Sequence, residues 1–412
     1  MLFVYRFLIN IIFILSPIIL IIRLIKKKED LLRFKEKFCF FSKTREKGKI
    51  IWFHGASVGE IQSIIPLLEK LEKEKKIKKI LITSNTLSSS KIIQKLKFKK
   101  IIHQFFPIDT NFFSNKFIEY WKPCAAFFID SEIWPNMIVN LKKRKIPITI
   151  LNGRITKKTY KRWKTLPNFS KYIFGQIDKC FPASNNSKFF LEKLGVQNIK
   201  LIGNLKFSQS ENDKNKINNS LKKFITFRKT WCASSTHFSE EKFCGLIHKD
   251  LKKKYKNLLT IIIPRHIERT KTIQSELHKL GLKTQTHEPQ KKIDKDIDVY
   301  IVNSYGKTKS FYNICKNVFL GGSLINHGGQ NPLEATRYGC NILHGPNVNN
   351  FKEIYEFLQK NKISSEIKSH KITIKKLDKL LMKKNNSKKI RFKLNLIGKK
   401  ILKETYKEIS FF

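Results

Sequence analysis

The sequence has no paired cysteines. Its seven cysteines are scattered through 412 residues, and no two of them form a CxxC pair. Scattered cysteines within apolar runs are typical of small core residues in a reducing compartment, so we expect no disulfide framework and no structural zinc site. They are Cys39, Cys124, Cys180, Cys232, Cys244, Cys315 and Cys340.

Acidic residues and arginines are also scarce. The chain has 83 basic and 32 acidic residues and a formal net charge of +51, but only 12 of the basic residues are arginine. Arginine is favoured for contacts with phosphates and bases, and the lysines are spread over nearly every predicted helix, so we expect no nucleic-acid partner. The charge is typical of a plain lysine-coated surface, and attraction to an anionic membrane surface is the functional interpretation that we retain. A charge-driven RNA- or membrane-binding protein stays open as an alternative.

After the first 25 residues no segment is long and apolar enough to cross a membrane. Residues 2–25 match the hydrocarbon core of about 30 Å in length, and Arg6 and Arg23 lie near the ends, where long stems let the charge reach the interface. Lysines 26–28 follow and place the rest of the chain on the cytoplasmic side. A cleaved signal peptide is the competing interpretation, but no small-residue cleavage site follows. We expect an uncleaved N-terminal single-pass anchor, spanning or deeply interfacial.

From residue 50 onward, short apolar runs alternate with helical patterns. This alternation predicts parallel sheets covered by helices on both faces. A polar stretch from Ser208 to Asn219 predicts a linker, so we expect an α/β fold of two doubly wound domains that face a cleft, with ligands at the carboxyl ends of the strands. The predicted strands are Ile50–His54, Ile80–Ser84, Ile101–Phe106, Ala125–Asp130, Ile146–Leu151 and Ile199–Gly203, then Thr230–Ser234, Leu258–Pro264, Val299–Asn303, Val318–Gly322 and Asn341–Gly345.

Charged side chains near predicted strand ends of the first domain are candidates for chemistry. Glu60 follows the small residues of His54–Gly59 and opens a helix, where a carboxylate can act as a general base toward a hydroxyl. The alternative is a charge that interacts with the helix dipole. Asp130 and Glu132 flank Ser131 just before a predicted helix, and proximity to Glu60 across neighbouring strands would make these two acids catalytic. Helix capping by Asp130 or Ser131 is the alternative. Lys206 closes the first domain, and at an interdomain cleft it can neutralise a leaving phosphate.

A glycine-rich turn marks the second domain. Gly321–Leu324 and Gly328–Glu334 follow the apolar run Asn317–Leu320, and Pro332 indicates a helix start. A strand, a glycine-rich turn and a helix aim backbone N–H groups at an anionic ligand, which predicts a nucleotide or nucleotide-sugar site. Glu334 can accept hydrogen bonds from sugar hydroxyls there. A plain tight turn between strand and helix is the alternative.

Two further strand ends of the second domain carry polar groups. Ser234–His237 and Ile263–His266 supply hydroxyls, Arg265 and two histidines, which suit a phosphate and a sugar carboxylate. His237 and His266 lack a convincing third metal ligand, so we expect neither a metal nor another cofactor.

Taken in order, these motifs resemble those of the 3-deoxy-D-manno-octulosonic acid (Kdo) transferases, the inner-membrane enzymes of lipopolysaccharide core assembly. The resemblance covers almost the whole chain, and the ordered set is specific although each motif alone is weak. It comprises the N-terminal anchor, His54–Glu60, Asp130–Asn136, Asn152–Arg154, Gly203–Phe207, Ser235–His237 with Glu240 and Glu241, Pro264–His266 with Glu268 and Arg269, Gly321–Leu324, Gly329–Glu334, and Gly345–Asn347 with Asn350 and Phe351.

The resemblance implies a GT-B fold with a membrane anchor (1–28), an acceptor-binding domain (29–207) and a CMP-sugar-binding domain (208–412), and leaves open whether the last helix packs back on the first domain. It implies an inverting glycosyltransferase that moves Kdo from CMP-Kdo to a hydroxyl of the lipid A precursor, lipid IVA, on the cytoplasmic side of the inner membrane. Glu60 matches the catalytic base, and Asp130 and Lys206 match positions that stabilise the transition state. The CMP-binding positions are matched by Pro264, Arg265, Tyr305, Gly306, Lys307, Asn331, Pro332, Leu333 and Glu334.

Two single positions and one turn depart from the family pattern. Asp130 stands where the family usually has Glu, and Gln330 replaces a usual His. The turn Asn303–Lys307 replaces an Asp-Thr-Met-Gly-Glu turn and reverses the charge at Lys307. The base position Glu60 is unchanged, so the implied activity is kept. Another GT-B nucleotide-sugar transferase acting on a membrane lipid is the alternative enzyme.

Overall fold

Parallel strands form two separate sheets in this chain. The structure, a computed structural model of the 412-residue protein, describes residues 1–209, 217–288, 293–383 and 386–410. Unit 1 comprises Met1–Gln209 and Ile397–Phe412, and unit 2 comprises Ser210–Leu396. Each unit has its own sheet, which confirms the prediction of a doubly wound α/β fold.

The sheet of unit 1 has six parallel strands in the order β3-β2-β1-β4-β5-β6. The order reverses between β1 and β4, and a reversal of this kind leaves a crevice at the carboxyl ends of the two strands. Both strands are buried along their whole length, because helices cover both faces. The strands are β1 (Ile50–His54), β2 (Lys79–Ser84), β3 (Ile101–Phe105), β4 (Ala125–Ile129), β5 (Ile148–Gly153) and β6 (Lys179–Pro182).

The helices of unit 1 mostly begin at a hydroxyl side chain. Ser57, Thr86, Thr110, Thr156 and Ser184 each accept an N–H from the first turn of the helix that follows, the preferred chemistry of an N-cap. The helices are α1 (Leu2–Ile25), α2 (Val58–Leu71), α3 (Leu87–Lys95), α4 (Asn111–Trp121), α5 (Pro135–Lys143), α6 (Lys157–Lys164), α7 (Pro167–Phe174) and α8 (Asn185–Leu194), with 3-10 turns at Phe34–Phe38 and Leu205–Ser208.

The sheet of unit 2 has seven parallel strands in the order β13-β12-β11-β7-β8-β10-β9. The central strands β7, β8 and β11 are almost wholly buried, and their neighbours at the edges are short. The strands are β7 (Lys229–Thr236), β8 (Leu258–Pro264), β9 (Thr284–Thr286), β10 (Val299–Ile301), β11 (Asn317–Leu320), β12 (Asn341–His344) and β13 (Ser364–Glu366).

Helices again connect these strands. They are α9 (Asn219–Phe227), α10 (Glu240–Lys254), α11 (Thr270–Lys279), α12 (Thr308–Ile314), α13 (Pro332–Arg337), α14 (Lys352–Lys360), α15 (His370–Met382) and α16 (Ser387–Ile409), with a 3-10 turn at Ile267–Arg269. The last helix, α16, begins in unit 2 and ends in unit 1. Residues 210–216 of the predicted linker lie outside the described residues.

One predicted strand is wrong. Ile199–Gly203 forms no strand, and only Ile199 makes an isolated bridge, to Cys180. The sixth strand of the sheet is Lys179–Pro182, a short run whose apolar pattern is too weak to single out. The edge strands β9 and β13 of unit 2 also have no counterpart among the predictions, because each is three residues long.

The N-terminal helix α1 is long and apolar enough to cross a membrane by length and composition. We expected its two arginines to extend toward the membrane interface, but both bind groups of the protein instead. Arg6 donates to Asn136 and Asn111, and Arg23 pairs with Glu29. Both charges are therefore neutralised or bonded within unit 1.

Candidate active site

Glu60 lies beyond the carboxyl end of β1, in the first turn of α2. Its Oε2 accepts the N–H of Ala56 at 2.7 Å, and its Oε1 accepts the hydroxyl of Ser57 at 2.7 Å. A Cβ at Gly55 would stand 3.2 Å from the Cβ of Glu60, so the small residue lets the loop fold closely around this side chain. The carboxylate is thus held at the strand end by its own loop.

The pKa of Glu60 is raised to about 7. Burial is the main cause, and the negative charges of Glu132 and Asp130 add to it, whereas the hydrogen bonds from Ser57 and Ala56 oppose it. A carboxylate that titrates near neutral pH is well matched to general-base work, because it holds a proton strongly yet is substantially ionised.

Asp130 follows β4, the strand beside β1, and its backbone is left-handed with φ of 57°. Aspartate tolerates this region better than most residues, and two backbone bonds, from its N–H to Leu151 and from the N–H of Arg154 to its carbonyl, hold it there. The side-chain amide of Asn152 donates to Oδ1, and Lys206 Nζ lies 3.1 Å from Oδ2. The structure therefore brings Asp130 and Lys206 into direct contact.

Helix capping does not explain Asp130 or Ser131. The following helix, α5, begins at Pro135 with Trp134 as its N-cap residue and without a side-chain cap. Its first N–H groups, from Asn136 and Met137, are accepted by Asp109 at 3.0 and 2.8 Å. The capping alternative for Asp130 and Ser131 is therefore wrong.

The second acid of the same motif, Glu132, also belongs to this cluster, although the family resemblance implies no role for it. Its Oε2 lies 3.2 Å from His54 Nε2 and accepts the indole N–H of Trp134 at 2.9 Å. His54 is wholly buried at the end of β1. The two acids of the Asp-x-Glu pattern thus have different partners, which spacing alone does not reveal. Glu60, Asp130, Glu132 and Lys206 form one charged cluster in unit 1, and His54 contacts it through Glu132.

The predicted donor-binding residues of unit 2 lie beyond the carboxyl ends of three strands. Pro264 ends β8, and the N–H of Arg265 donates to Thr236 at the end of neighbouring β7, leaving the Arg265 side chain exposed. Beyond β10, the exposed Tyr305 hydroxyl donates to Glu268 at 3.1 Å, which joins this turn to the segment after Arg265. Gly306 adopts φ of 77°, and Lys307 directly precedes α12.

The third segment follows β11. Asn331 is the N-cap of α13, where its Oδ1 accepts the N–H of Leu333 at 3.1 Å, and Pro332 occupies the first turn as predicted. Glu334 lies in that turn with one oxygen 3.8 Å from Lys309 Nζ. The structure therefore links the Tyr305–Lys307 and Asn331–Glu334 segments through α12.

The glycine-rich turn already holds an anion. Glu240, only 1% exposed, accepts the N–H of Gly322 at 2.7 Å, of Ser323 at 3.1 Å and of Leu324 at 3.0 Å, together with that of His237 at 2.9 Å. The prediction that this turn aims its backbone N–H groups at a ligand is wrong for these three. The Glu240–Glu241 pair is visible in the sequence, but a contact across more than 80 residues is not.

His237 stands beside this turn with an unpartnered nitrogen. It is 8% exposed, its Nε2 has no hydrogen-bond partner among the described residues, and its ring lies 4.3 Å from that of His327 and 5.8 Å from that of His266. Burial, and then the nearby His327, His266 and Arg265, lower its pKa to about 4. A neutral ring among basic side chains makes this corner of unit 2 suited to an anion.

Comparison with known proteins identifies the family. Residues 32–209 match a family model described as 3-deoxy-D-manno-octulosonic-acid transferase. The 3-deoxy-D-manno-octulosonic acid transferase of Rickettsia bellii is 31% identical over 386 residues, covering 92% of this chain and 91% of the relative. The chain belongs to the Kdo transferase family. The enzyme of that name from Haemophilus influenzae is 28% identical over 358 residues and covers 86% of this chain and 83% of its own length.

The match to the Kdo transferase model includes Glu60, Asp130 and Lys206, and the alignment with the Rickettsia bellii relative extends well into unit 2. A solved UDP-GlcNAc 2-epimerase from Neisseria meningitidis superposes with a TM-score of 0.57 at 15% identity, covering 87% of this chain and 100% of the other. That likeness shows the fold alone. The fold of this Kdo transferase is of the predicted GT-B type.

Proposed function

We propose that this Kdo transferase moves Kdo from CMP-Kdo to a hydroxyl of a lipid A precursor, lipid IVA, with inversion at the anomeric carbon. The observation that carries the proposal is the cluster around Glu60, in which a carboxylate with a pKa of about 7 lies near Asp130 and the cation Lys206. A base of this pKa suits the removal of a proton from a sugar hydroxyl as that hydroxyl attacks.

The reaction is a single displacement. The acceptor oxygen forms a bond to the anomeric carbon while the bond from that carbon to the phosphate oxygen breaks, so CMP leaves as a phosphate monoester and the proton passes to Glu60. General-base catalysis of this kind contributes typically 10²–10⁴-fold. Asp130 and Lys206 form a fixed pair of opposite charges that stabilises charge as it develops, because it needs no reorganisation during the reaction.

The donor is proposed to bind unit 2. CMP-Kdo carries a phosphate and a carboxylate, and Arg265, His266 and the neutral His237 cluster near the carboxyl ends of β7 and β8. An arginine fork matches either anion. Glu334 and Asn331 supply acceptors for hydroxyl groups of the nucleotide. Since lysine and arginine can neutralise a departing phosphate, we propose that no divalent ion takes part.

The acceptor is proposed to be a membrane lipid at the cytoplasmic face of the inner membrane. The apolar helix α1 provides attachment, and exposed lysines 26–28 directly follow it. Each lysine near an anionic surface contributes about 1 kcal/mol of attraction. These features keep unit 1, which holds Glu60, close to the surface where the lipid headgroup is found.

The test incubates the purified full-length chain with lipid IVA and either CMP-Kdo or a panel of UDP-sugars, with the products identified by mass spectrometry. We expect the mass of lipid IVA to increase by one or more Kdo residues in the reaction with CMP-Kdo and to stay unchanged in the reactions with UDP-sugars. Transfer from a UDP-sugar, without transfer from CMP-Kdo, would assign the chain to another nucleotide-sugar reaction. Salt-sensitive RNA binding with no transfer at all would favour the charge-driven binding protein.

The role of Glu60 is tested with Glu60→Gln and Glu60→Ala. Both variants are expected to fold and to lose transfer by about 10²-fold or more, the scale of a missing general base. Glu69→Gln is the matched control, because Glu69 is an exposed carboxylate on the same helix. Turnover near that of the wild type in Glu60→Gln would remove Glu60 from this role.

Independence from metal is tested by adding EDTA to the same assay. We expect the rate of Kdo transfer to persist, because Lys206 and Arg265 supply the positive charge that a divalent ion would otherwise provide. Loss of transfer with EDTA and its recovery with magnesium would contradict the proposal.

A further inference from the structure

Helix α1 packs against unit 1 along its whole length. Its buried and half-buried positions recur every three or four residues, which is the spacing of a single helix face. Since this face runs from the first turn to the last, contact is not confined to one end of the helix. The positions are Leu2, Tyr5, Arg6, Ile9, Phe13, Ser16, Leu20, Arg23 and Leu24.

Polar bonds fix the N-terminal end. The hydroxyl of Tyr5 donates to Asp109 at 2.8 Å, and Arg6 donates to Asn136 at 2.9 Å and to Asn111 at 2.8 Å. Asp109 is the buried carboxylate that accepts the first N–H groups of α5. Moving α1 away would leave these partly buried polar groups without their partners, which is unfavourable because a buried donor or acceptor then loses its hydrogen bond.

The middle and the C-terminal end are fixed as well. The ring of Phe13 packs edge-on against Phe38 and Phe113, at centroid distances of 6.1 and 5.3 Å. At the far end, Arg23 lies 2.5 Å from the buried carboxylate of Glu29, which also binds Lys37 at 2.6 Å. All of these partners belong to unit 1.

The opposite face of α1 is apolar and exposed. Apart from Asn10, its exposed side chains contain no group that needs water, and lysines 26–28 continue the exposed surface at the C-terminal end. An apolar face of this size, next to a basic segment, is the composition that an anionic lipid monolayer binds. The exposed apolar residues are Phe3, Val4, Phe7, Leu8, Ile11, Ile12, Ile14, Leu15, Ile18, Ile19, Ile21, Ile22 and Ile25.

We infer that α1 is an in-plane anchor, which inserts its exposed face into one leaflet and does not cross the bilayer. Tyr5 and Arg23 are 18 residues apart, about 27 Å along a helix. A helix that crosses a hydrocarbon core of about 30 Å places its two ends on opposite sides. Because both ends of α1 bind the same polar unit, both ends lie on the side of the membrane that holds unit 1. Of the two arrangements that the sequence leaves open, spanning and deeply interfacial, these contacts favour the interfacial one.

The in-plane arrangement is inferred from these contacts and does not depend on the proposed transfer reaction. If the proposed function also holds, the arrangement has a catalytic consequence. Asn136, which Arg6 binds, closes the motif that begins with Asp130 and includes Glu132. The in-plane helix therefore holds the acidic cluster at the level of the lipid headgroups, where the acceptor hydroxyl is found.

The location of the N-terminus tests the inference. A Gly-Ser-Cys extension is placed before Met1 of the full-length chain, and a membrane-impermeant maleimide is added to spheroplasts or to inverted inner-membrane vesicles. We expect labelling in inverted vesicles and none in spheroplasts. The matched control carries Gly-Ser-Ser, which measures the background from the native cysteines, six buried and one half-buried. Labelling in spheroplasts would show that the helix crosses the membrane and would overturn the inference.

Cross-linking tests the packing independently in native membranes. With Phe13→Cys and Phe38→Cys together, a short bifunctional maleimide is expected to join the two positions, because the centroids of the two native rings lie 6.1 Å apart. Phe7→Cys with Phe38→Cys is the control, since Phe7 lies on the exposed face and is expected not to cross-link. Equal cross-linking of both pairs, or of neither in protein that retains transfer activity, would contradict packing along unit 1. The labelling of the N-terminus does not depend on these substitutions.

Discussion

The role proposed for Glu60 comes at the expense of stability. Its pKa is raised from the ordinary value of 4.5 to about 7, so the folded protein binds more protons than the unfolded chain between these two values. Stability contributed by this position therefore falls as the pH rises through that window and stays low above it. The charge that Glu60 needs for its proposed role as a base is the charge that the fold disfavours.

The pH dependence of Kdo transfer follows from the same shift. Because the base acts when ionised, the rate is expected to rise with pH and to reach half of its plateau near pH 7. Glu132→Gln removes a negative neighbour that raises the pKa of Glu60, so the rising limb is expected to move to lower pH. The measurement is the rate against pH for the wild type, Glu132→Gln and the exposed control Glu69→Gln. An identical midpoint in all three would contradict this assignment of the base.

The stability of Glu60→Gln provides a second test at this residue. Removing the titrating group is expected to stabilise the protein more at pH 8 than at pH 5, by about 3 kcal/mol at most because solvent screens a group that is partly exposed. Denaturant unfolding of the wild type, Glu60→Gln and Glu69→Gln at both pH values measures the difference. A gain that is equal at the two pH values would show that the substitution acts through packing and not through charge.

At the scale of elements, local pattern predicts what lies within one strand or helix and misses what joins distant ones. Leu258–Pro264 is apolar at every position except Thr260 and is a strand over the same residues. Ile199–Gly203 has a similar pattern but no strand partner beyond one bridge, because Lys179–Pro182 already pairs with β5. The locations of Glu60 and Asp130 at the edge of the sheet can be predicted, because both residues come soon after an apolar run that forms a strand. The bonds of Asp130 to Asn152 and Lys206, and of Glu240 to the glycine-rich turn, depend on the tertiary fold.

The glycine-rich turn is expected to depend on Glu240. Glu240→Gln replaces one acceptor oxygen with an NH₂ group, which faces backbone N–H groups that it cannot satisfy, and such a loss costs about 1–3 kcal/mol. We expect the KM for the nucleotide-sugar donor to rise about tenfold or more while kcat changes less, since the turn precedes Asn331 and Glu334. Lys242→Gln, an exposed neighbour on α10, is the control. An unchanged KM in a folded Glu240→Gln variant would show that the turn keeps its shape without this carboxylate.

At the scale of the whole molecule, the C-terminal part of α16 packs in unit 1 together with the N-terminal half of the chain. Ile401 lies against Gly203, Glu408 binds Lys200 at 2.6 Å, and the Tyr406 hydroxyl donates to Glu74. The sequence leaves this open, because Ser387–Ile409 is one continuous helix whose local pattern does not change where its contacts pass from one unit to the other. The division of the chain into two units is therefore a property of long-range packing.

Reciprocal core substitutions test this division. Ile401→Ala removes a buried side chain at the C-terminal end and is expected to cost about 2–5 kcal/mol, as for other large-to-small changes in cores. Because Ile401 packs in unit 1, amide hydrogen exchange is expected to accelerate within residues 1–209 and to stay unchanged within 217–383. Leu377→Ala, which opens the core of unit 2, is expected to do the reverse. If Ile401→Ala accelerated exchange in unit 2 and left unit 1 unaffected, the C-terminal part of α16 would stabilise unit 2 and not unit 1.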